Sequence, residues 1–237
     1  MEVRMGKDVI IACDFESRER TIKFLDGFPT GEKPFVKIGM ELFYAAGPDI
    51  VRELKDRGHK VFLDLKLHDI PNTVKKAMWV LAGLGADICN LHAAGTVPMM
   101  EAALEGLTRP DGTRPLLIAV TQLTSTDQAA MERDLLIRGT PIDEVILHYA
   151  ASAKTAGLDG VVCSPLEAGK VHERCGAAFL TVTPGVRFAG GDVGDQKRVT
   201  TPAKAKELGS DYIVVGRPIT ADADPVAAYR RCVAEFM

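Results

Sequence analysis

No apolar run in the sequence reaches the ~18–20 residues that a membrane span requires, so a role within a membrane is not expected. The stretch Met1-Glu2-Val3-Arg4-Met5-Gly6-Lys7-Asp8 lacks the apolar core of a secretory signal. Cysteine is scarce and scattered. Cys13, Cys89, Cys163, Cys175 and Cys232 form no C-x-x-C, and an odd set without pairing spacing fits reduced thiols in a cytoplasmic protein. Of these, Cys13, Cys89 and Cys163 fall in strand-like apolar runs and read as small buried fillers. An excess of one charge is also missing: 29 basic residues against 32 acidic ones leave a net charge of -3. That balance offers no global attraction to nucleic acid or to a membrane surface. No G-x-G-x-x-G follows the first strand, where Cys13-Asp14-Phe15-Glu16 stands, which argues against an open dinucleotide-binding sheet. Ser-nucleophile hydrolysis lacks its G-x-S-x-G elbow, and His68 and His92 lack H-x-x-x-H spacing or clustered carboxylates, so no metal site is expected.

What the chain does have is alternation. Hydrophobic residues make up 46% of its 237 residues, enough for a large core. Strand-like runs occur at Val9–Phe15, Phe35–Met40, Lys60–Leu67, Asp87–His92, Leu116–Leu123, Gly160–Ser164, Ala178–Thr183 and Tyr212–Gly216. Amphipathic stretches between them include Ser17–Phe28, Asp49–Arg57, Thr73–Leu84, Val97–Leu107, Ile142–Ala156 and Pro202–Leu208, and Pro225–Phe236 follows the last strand. Ser17 can cap the first helix, Pro71, Pro141, Pro202 and Pro225 lie at or near helix starts, and Gly58, Gly85, Gly157 and Gly209 stand just past helix ends. Eight strands in such alternation imply parallel βαβ units closing into a (β/α)8 barrel, the TIM barrel of the α/β class. With no linker or low-complexity tract, residues 1–237 are expected to form a single domain.

Active sites of such barrels collect at the C-terminal strand ends. There the sequence places Asp14, Lys37, Asp64, Lys66, Asn90, His92, Gln122 and Thr124. Asp64 and Lys66 are two apart, so in a regular strand both face one side, about 6.6 Å apart. Leu63, Leu65 and Leu67 face the other, toward helices, which turns the charged pair inward. Lys37 and Asp69 are available partners for an alternating Lys–Asp–Lys–Asp array. Such charges could merely plug the barrel with ion pairs; four of them at the mouth beside a basic cluster favour catalysis. That cluster comprises Thr183-Pro184-Gly185-Val186-Arg187, a Gly-rich loop through Gln196, and Val215-Gly216-Arg217-Pro218. Loops after strands seven and eight commonly grip phosphate in this fold, with Arg217 as a forked donor and Gly216 allowing close backbone approach.

Asp64-Leu65-Lys66-Leu67-His68-Asp69-Ile70-Pro71-Asn72-Thr73 resembles the signature of the orotidine 5′-phosphate decarboxylase family. Further segments resemble its bacterial branch in the same order: Ala12-Cys13-Asp14-Phe15, Val36-Lys37-Ile38-Gly39, Val120-Thr121-Gln122-Leu123-Thr124-Ser125, Thr183–Arg187, Asp195–Arg198 and Val215–Thr220. The resemblance implies conversion of orotidine 5′-phosphate to uridine 5′-phosphate (UMP) and carbon dioxide, the last step of pyrimidine nucleotide synthesis, without cofactor. It implies a homodimer with shared sites. Lys66 would be the proton donor, with Asp64, Lys37 and Asp69 completing the array; Asp69, Ile70 and Thr73 would reach the partner's site. Asp14 and Lys37 would hold the ribose, Thr124 the pyrimidine, and Arg187, Gln196, Gly216 and Arg217 the phosphate side, where Pro184 also lies. One departure stands out: Phe188 follows the strand-seven Arg where the family usually has Pro.

Two other readings compete. Magnesium-dependent keto-sugar-acid phosphate decarboxylases and hexulose-phosphate synthases share D-x-K-x-x-D, but use a Glu at strand two that helps hold the metal, where Lys37 stands here. A non-catalytic phosphate-binding barrel would be expected to lack one or more of the interior charges. Epimerase-like barrels are compatible with the fold alone.

Overall fold

The computed structural model describes residues 7–190 and 200–237. Its strands are β1 (Asp8–Ala12), β2 (Phe35–Gly39), β3 (Val61–Leu67), β4 (Ile88–His92), β5 (Leu116–Val120), β6 (Gly160–Val162), β7 (Leu180–Thr183) and β8 (Tyr212–Val215). Each pairs in parallel with its sequence neighbours, and β8 closes on β1 through Val9↔Ile213 and Ile10↔Val214. Helix α1 (Arg18–Leu25) follows β1, α2 (Met40–Ala46) and α3 (Asp49–Asp56) follow β2, and α4 (Pro71–Ala82) follows β3. After β4 comes α5 (Thr96–Leu107), after β5 α6 (Gln128–Asp134) and α7 (Ile142–Thr155), and after β6 α8 (Pro165–Cys175). Helix α9 (Pro202–Glu207) precedes β8, which leads into α10 (Arg217–Thr220) and α11 (Pro225–Phe236). Among the described residues no helix is long and apolar enough to cross a membrane.

Strand residues alternate between two cores, as a period of two demands. Val9, Ile11, Val36, Ile38, Leu63 and Leu65 pack outward against the helices. Ile10, Ala12, Phe35, Phe62, Ile88, Ile118, Val182, Tyr212 and Val214 fill the barrel interior. The interior is thus plugged by apolar side chains, and the charges stand above that plug rather than forming it. Burial holds the thiols of Cys13 and Cys89 protonated, each pushed up to about 12, as fillers rather than nucleophiles.

The expected caps are present. The Ser17 hydroxyl accepts the Arg20 N–H at 3.2 Å, and Gly58, Gly85, Gly157 and Gly209 all take φ between 81° and 92°. A repeat also emerges at the barrel base: Gly85-Ala86-Asp87, Gly157-Leu158-Asp159 and Gly209-Ser210-Asp211 precede β4, β6 and β8. Each Asp accepts a backbone N–H from the neighbouring strand, that of Val61 at 2.7 Å, Leu117 at 2.7 Å and Thr181 at 2.8 Å respectively. Each also meets a basic side chain, from Lys55, Arg114 or His172.

The strands end sooner than their apolar runs suggest. β1 stops at Ala12 and β5 at Val120, with Cys13 and Thr121 each making one last backbone bond, to the Lys37 and Val162 carbonyls at 3.0 and 3.1 Å. Sequence periodicity singles out no segment for α2, α6, α8 or α10. Helix α2 begins directly at the end of β2, with Gly39 as its cap, so Met40 belongs to the helix rather than to the strand. In α8 the start is set by a capping box, with Glu167 Oε2 accepting the Ser164 N–H at 2.7 Å.

Candidate active site

The site starts from a break in β3. This strand pairs with β4 at Leu63↔Cys89 and again at Leu67↔Leu91, so Asp64, Leu65 and Lys66 oppose Asn90 alone. Lys66 absorbs the excess with φ 52°, a left-handed conformation that costs a side-chain-bearing residue about 1–2 kcal/mol. Asp64 and Lys66 therefore meet not as two regular strand positions but across a bend, with Lys66 Nζ 2.7 Å from Asp64 Oδ1. Strained backbone of this kind concentrates at functional sites.

From β2, Lys37 points inward and lies between two carboxylates, its Nζ 2.8 Å from Asp14 Oδ1 and 3.3 Å from Asp64 Oδ2. Burial opposes both charges here, but the pairing overcomes it. The Lys37 ammonium is held above the ordinary lysine range by Asp64 and Asp14 despite desolvation. The Asp64 carboxyl, equally desolvated, is held below its usual value by Lys37, Lys66 and a hydrogen bond from Asn90. Gly39 makes room for this cluster: a Cβ there would lie 3.0 Å from Asp14 Oδ1 and 3.2 Å from Lys37 Nζ.

Above the apolar plug these groups line a cavity of about 590 Å³. Its floor is Ala12, Phe62, Val120, Val162 and Val214; its walls include Asp14, Lys37, Asp64, Lys66, Gln122 and Thr124. The rim on the far side carries Pro184, Gly185, Arg187, Gly216 and Arg217. A cluster of charges at one side and two guanidinium groups at the other suits a small polar molecule with an anionic tail. The root of the loop after β7 is pinned, since Arg187 donates its N–H to the Thr200 carbonyl at 2.9 Å and Thr200 donates to Gly185 at 3.1 Å. Phe188 lies beneath the Arg231 guanidinium of α11, 4.2 Å from ring centroid to Cζ.

A family-level profile described as orotidine 5′-phosphate decarboxylase / HUMPS matches residues 7–232. The chain belongs to the orotidine 5′-phosphate decarboxylase family. It is 58% identical over 227 residues to the orotidine 5′-phosphate decarboxylase of Streptococcus thermophilus, covering 96% of each chain. Against that of Bacillus caldolyticus the identity is 58% over 235 residues, covering 98% of this chain and 96% of the relative. A crystal structure of orotidine 5′-phosphate decarboxylase from Lactobacillus acidophilus superposes with a TM-score of 0.85 at 45% identity, covering 97% of this chain and 99% of that one.

Of the family residues expected from the sequence, Asp14, Lys37, Asp64, Lys66, Thr124, Pro184, Arg187, Gly216 and Arg217 line one pocket. Gln196 lies outside the described residues. Asp69, Ile70 and Thr73 do not join them within the chain. They are exposed at the start of α4, and among the described groups Asp69 accepts only the Ile70 N–H, at 2.6 Å. Within one chain the alternating array is Asp14–Lys37–Asp64–Lys66, with Asp14 at the Lys37 end and Asp69 outside the chain's own cluster. His68 and His92 sit 5.8 Å apart between ring centroids. The His92 pKa is lowered by burial and then by His68 and Lys66, which fits an orienting neighbour rather than a charged one. Asn90 reads in the sequence only as a polar strand end; an amide on β4 facing the charged strand is the signal for more.

Proposed function

We propose that the chain converts orotidine 5′-phosphate to UMP and carbon dioxide in the β-barrel pocket, with residues 1–237 as one catalytic domain and no cofactor. The observation that carries the reading is the Lys66 ammonium, fixed by Asp64 at the pocket wall. The bond between the pyrimidine ring carbon and its carboxylate breaks, carbon dioxide leaves, and the electron pair remains on a ring carbon with no carbonyl placed to delocalise it. Lys66 Nζ stabilises that charge and then delivers a proton to the carbon. At ~4 Å and an effective dielectric near 20, one such contact is worth about 4 kcal/mol. The remainder of the acceleration is assigned to binding at the phosphate end by Arg187, Gln196, Gly216 and Arg217, with Pro184 beside them, which holds the ring against the charged array. Asp14 and Lys37 take the ribose hydroxyls, and Thr124 the pyrimidine.

The metal-dependent alternatives need an anionic ligand on β2. Lys37 stands there, its ammonium between Asp14 and Asp64, which places a cation where a metal ligand would be needed. Asp69, Ile70 and Thr73 are assigned to a neighbouring subunit's pocket in a homodimer. Supporting this, α2 and the α4 region expose the large apolar side chains of Met40, Tyr44, Ile70, Trp79 and Val80, which a second copy could cover. A cytoplasmic setting suits five buried cysteines.

A spectrophotometric assay with orotidine 5′-phosphate tests the reading. Turnover is expected to persist unchanged in chelator and to vanish in Lys66→Ala. Loss of activity in chelator, or near-normal turnover by Lys66→Ala, would overturn it.

A further inference from the structure

The bend that carries Lys66 is held from β4. Opposite the three residues Asp64, Leu65 and Lys66, β4 offers only Asn90, so the regular ladder between the strands lapses at that level. Asn90 fills the lapse with its side chain. Its Oδ1 accepts the Lys66 backbone N–H at 2.8 Å, and its Nδ2 donates to Asp64 Oδ1 at 2.6 Å. The two ends are not interchangeable, because the N–H needs an acceptor and the carboxylate needs a donor. A planar amide buried to 1% exposure therefore fixes two things at once: the left-handed backbone of Lys66, and the carboxylate on which the Lys66 ammonium rests. Asn90 does not line the pocket, so it acts only through those neighbours.

We propose that Asn90 is a positioning residue for the decarboxylation, holding Lys66 Nζ and Asp64 in the register that proton delivery requires. The inference rests on the reading of Lys66 as proton donor. No other residue type of similar size meets both demands. Leu matches the shape but leaves the Lys66 N–H unsatisfied and removes one of the two donors to Asp64 Oδ1. Asp keeps the acceptor but sets a second carboxylate against Asp64.

Steady-state kinetics on Asn90→Leu and Asn90→Asp, alongside Lys66→Ala, test this, with UMP binding measured by calorimetry. Misplacement of a reacting group by about 1 Å costs on the order of 10²-fold. In both Asn90 variants kcat is expected to fall about that far per UMP-binding site, while KM and the UMP Kd stay within about threefold, because the phosphate and ribose contacts are untouched. Asn90→Asp keeps the volume, so it reports even if Asn90→Leu folds poorly. A kcat per binding site within about twofold of the parent in either folded variant overturns the proposal. So does a loss of activity that only tracks loss of UMP-binding sites, which would make Asn90 a residue of the fold alone. Should Lys66→Ala retain turnover, the proton-donor reading fails instead, and the two failures are thereby distinguished.

Discussion

Lys66 answers two demands with one residue: its backbone takes a conformation that glycine would adopt more cheaply, and its ammonium must be a lysine's. The strain is tolerated because Asp64 and Asn90 supply hydrogen bonds to both parts of it. Gly39 makes the complementary case, being small because the Asp14–Lys37 pair lies against it. Gly39→Ala would press a methyl group on that pair without touching Asp64 or Lys66. Steady-state kinetics should show a severalfold rise in KM for orotidine 5′-phosphate; an unchanged KM would show that the pair can yield. The identities of these residues were legible in the chain as polar groups at strand ends. Their geometry was not, since a period-two strand predicts 6.6 Å between Asp64 and Lys66 positions and says nothing of a left-handed turn between them.

At the scale of elements, each even strand from β4 to β8 is preceded by an Asp that ties it to the strand before. Asp211 accepts from the Thr181 N–H and hydroxyl at 2.8 and 3.0 Å and from His172 Nε2 at 3.0 Å. Half-burial favours its neutral form, but the bonds from His172 and Thr181 win, and its pKa is lowered. A depressed carboxyl stabilises the fold above the ordinary carboxylate pKa, and that contribution is lost as pH falls through the lower folded value. Asp211→Ala should cost about 1–3 kcal/mol at neutral pH, since it leaves a backbone N–H unpaired. Thermal melts should read this as roughly 2–4 °C per kcal/mol for a chain of this size. The gap between parent and variant should narrow in acid below the ordinary carboxylate range; a gap that widened there would contradict the assignment. Glycine caps announced these junctions in the sequence, whereas the repeated Gly-x-Asp became meaningful only once adjacent strands were paired. The short helices α2, α6 and α10 are not legible in the sequence, because 4–7 residues carry too little periodicity to register against their surroundings.

The whole molecule leaves its own signature segment divided. Asp64 and Lys66 turn into the barrel, while Asp69, Ile70 and Thr73 are exposed at the start of α4. If that outer half serves a second subunit, mixing Lys66→Ala with Asp69→Ala chains should restore activity that neither shows alone. Half the dimers would be hybrids with one intact site each, giving roughly a quarter of full activity. No recovery after subunit exchange would count against a shared site. The sequence by itself determined the barrel, through eight apolar runs separated by capped helices, and it determined the family, through motifs spread over most of its length. Both follow from local chemistry: strand alternation, cap residues and the order of side chains are properties of neighbours in the chain. Only the tertiary structure decided which charges share a pocket, because that depends on the register between strands far apart in sequence. The two extra residues of β3 against Asn90 set the bend, the bend turns Lys66 inward, and the same turn carries Asp69 out.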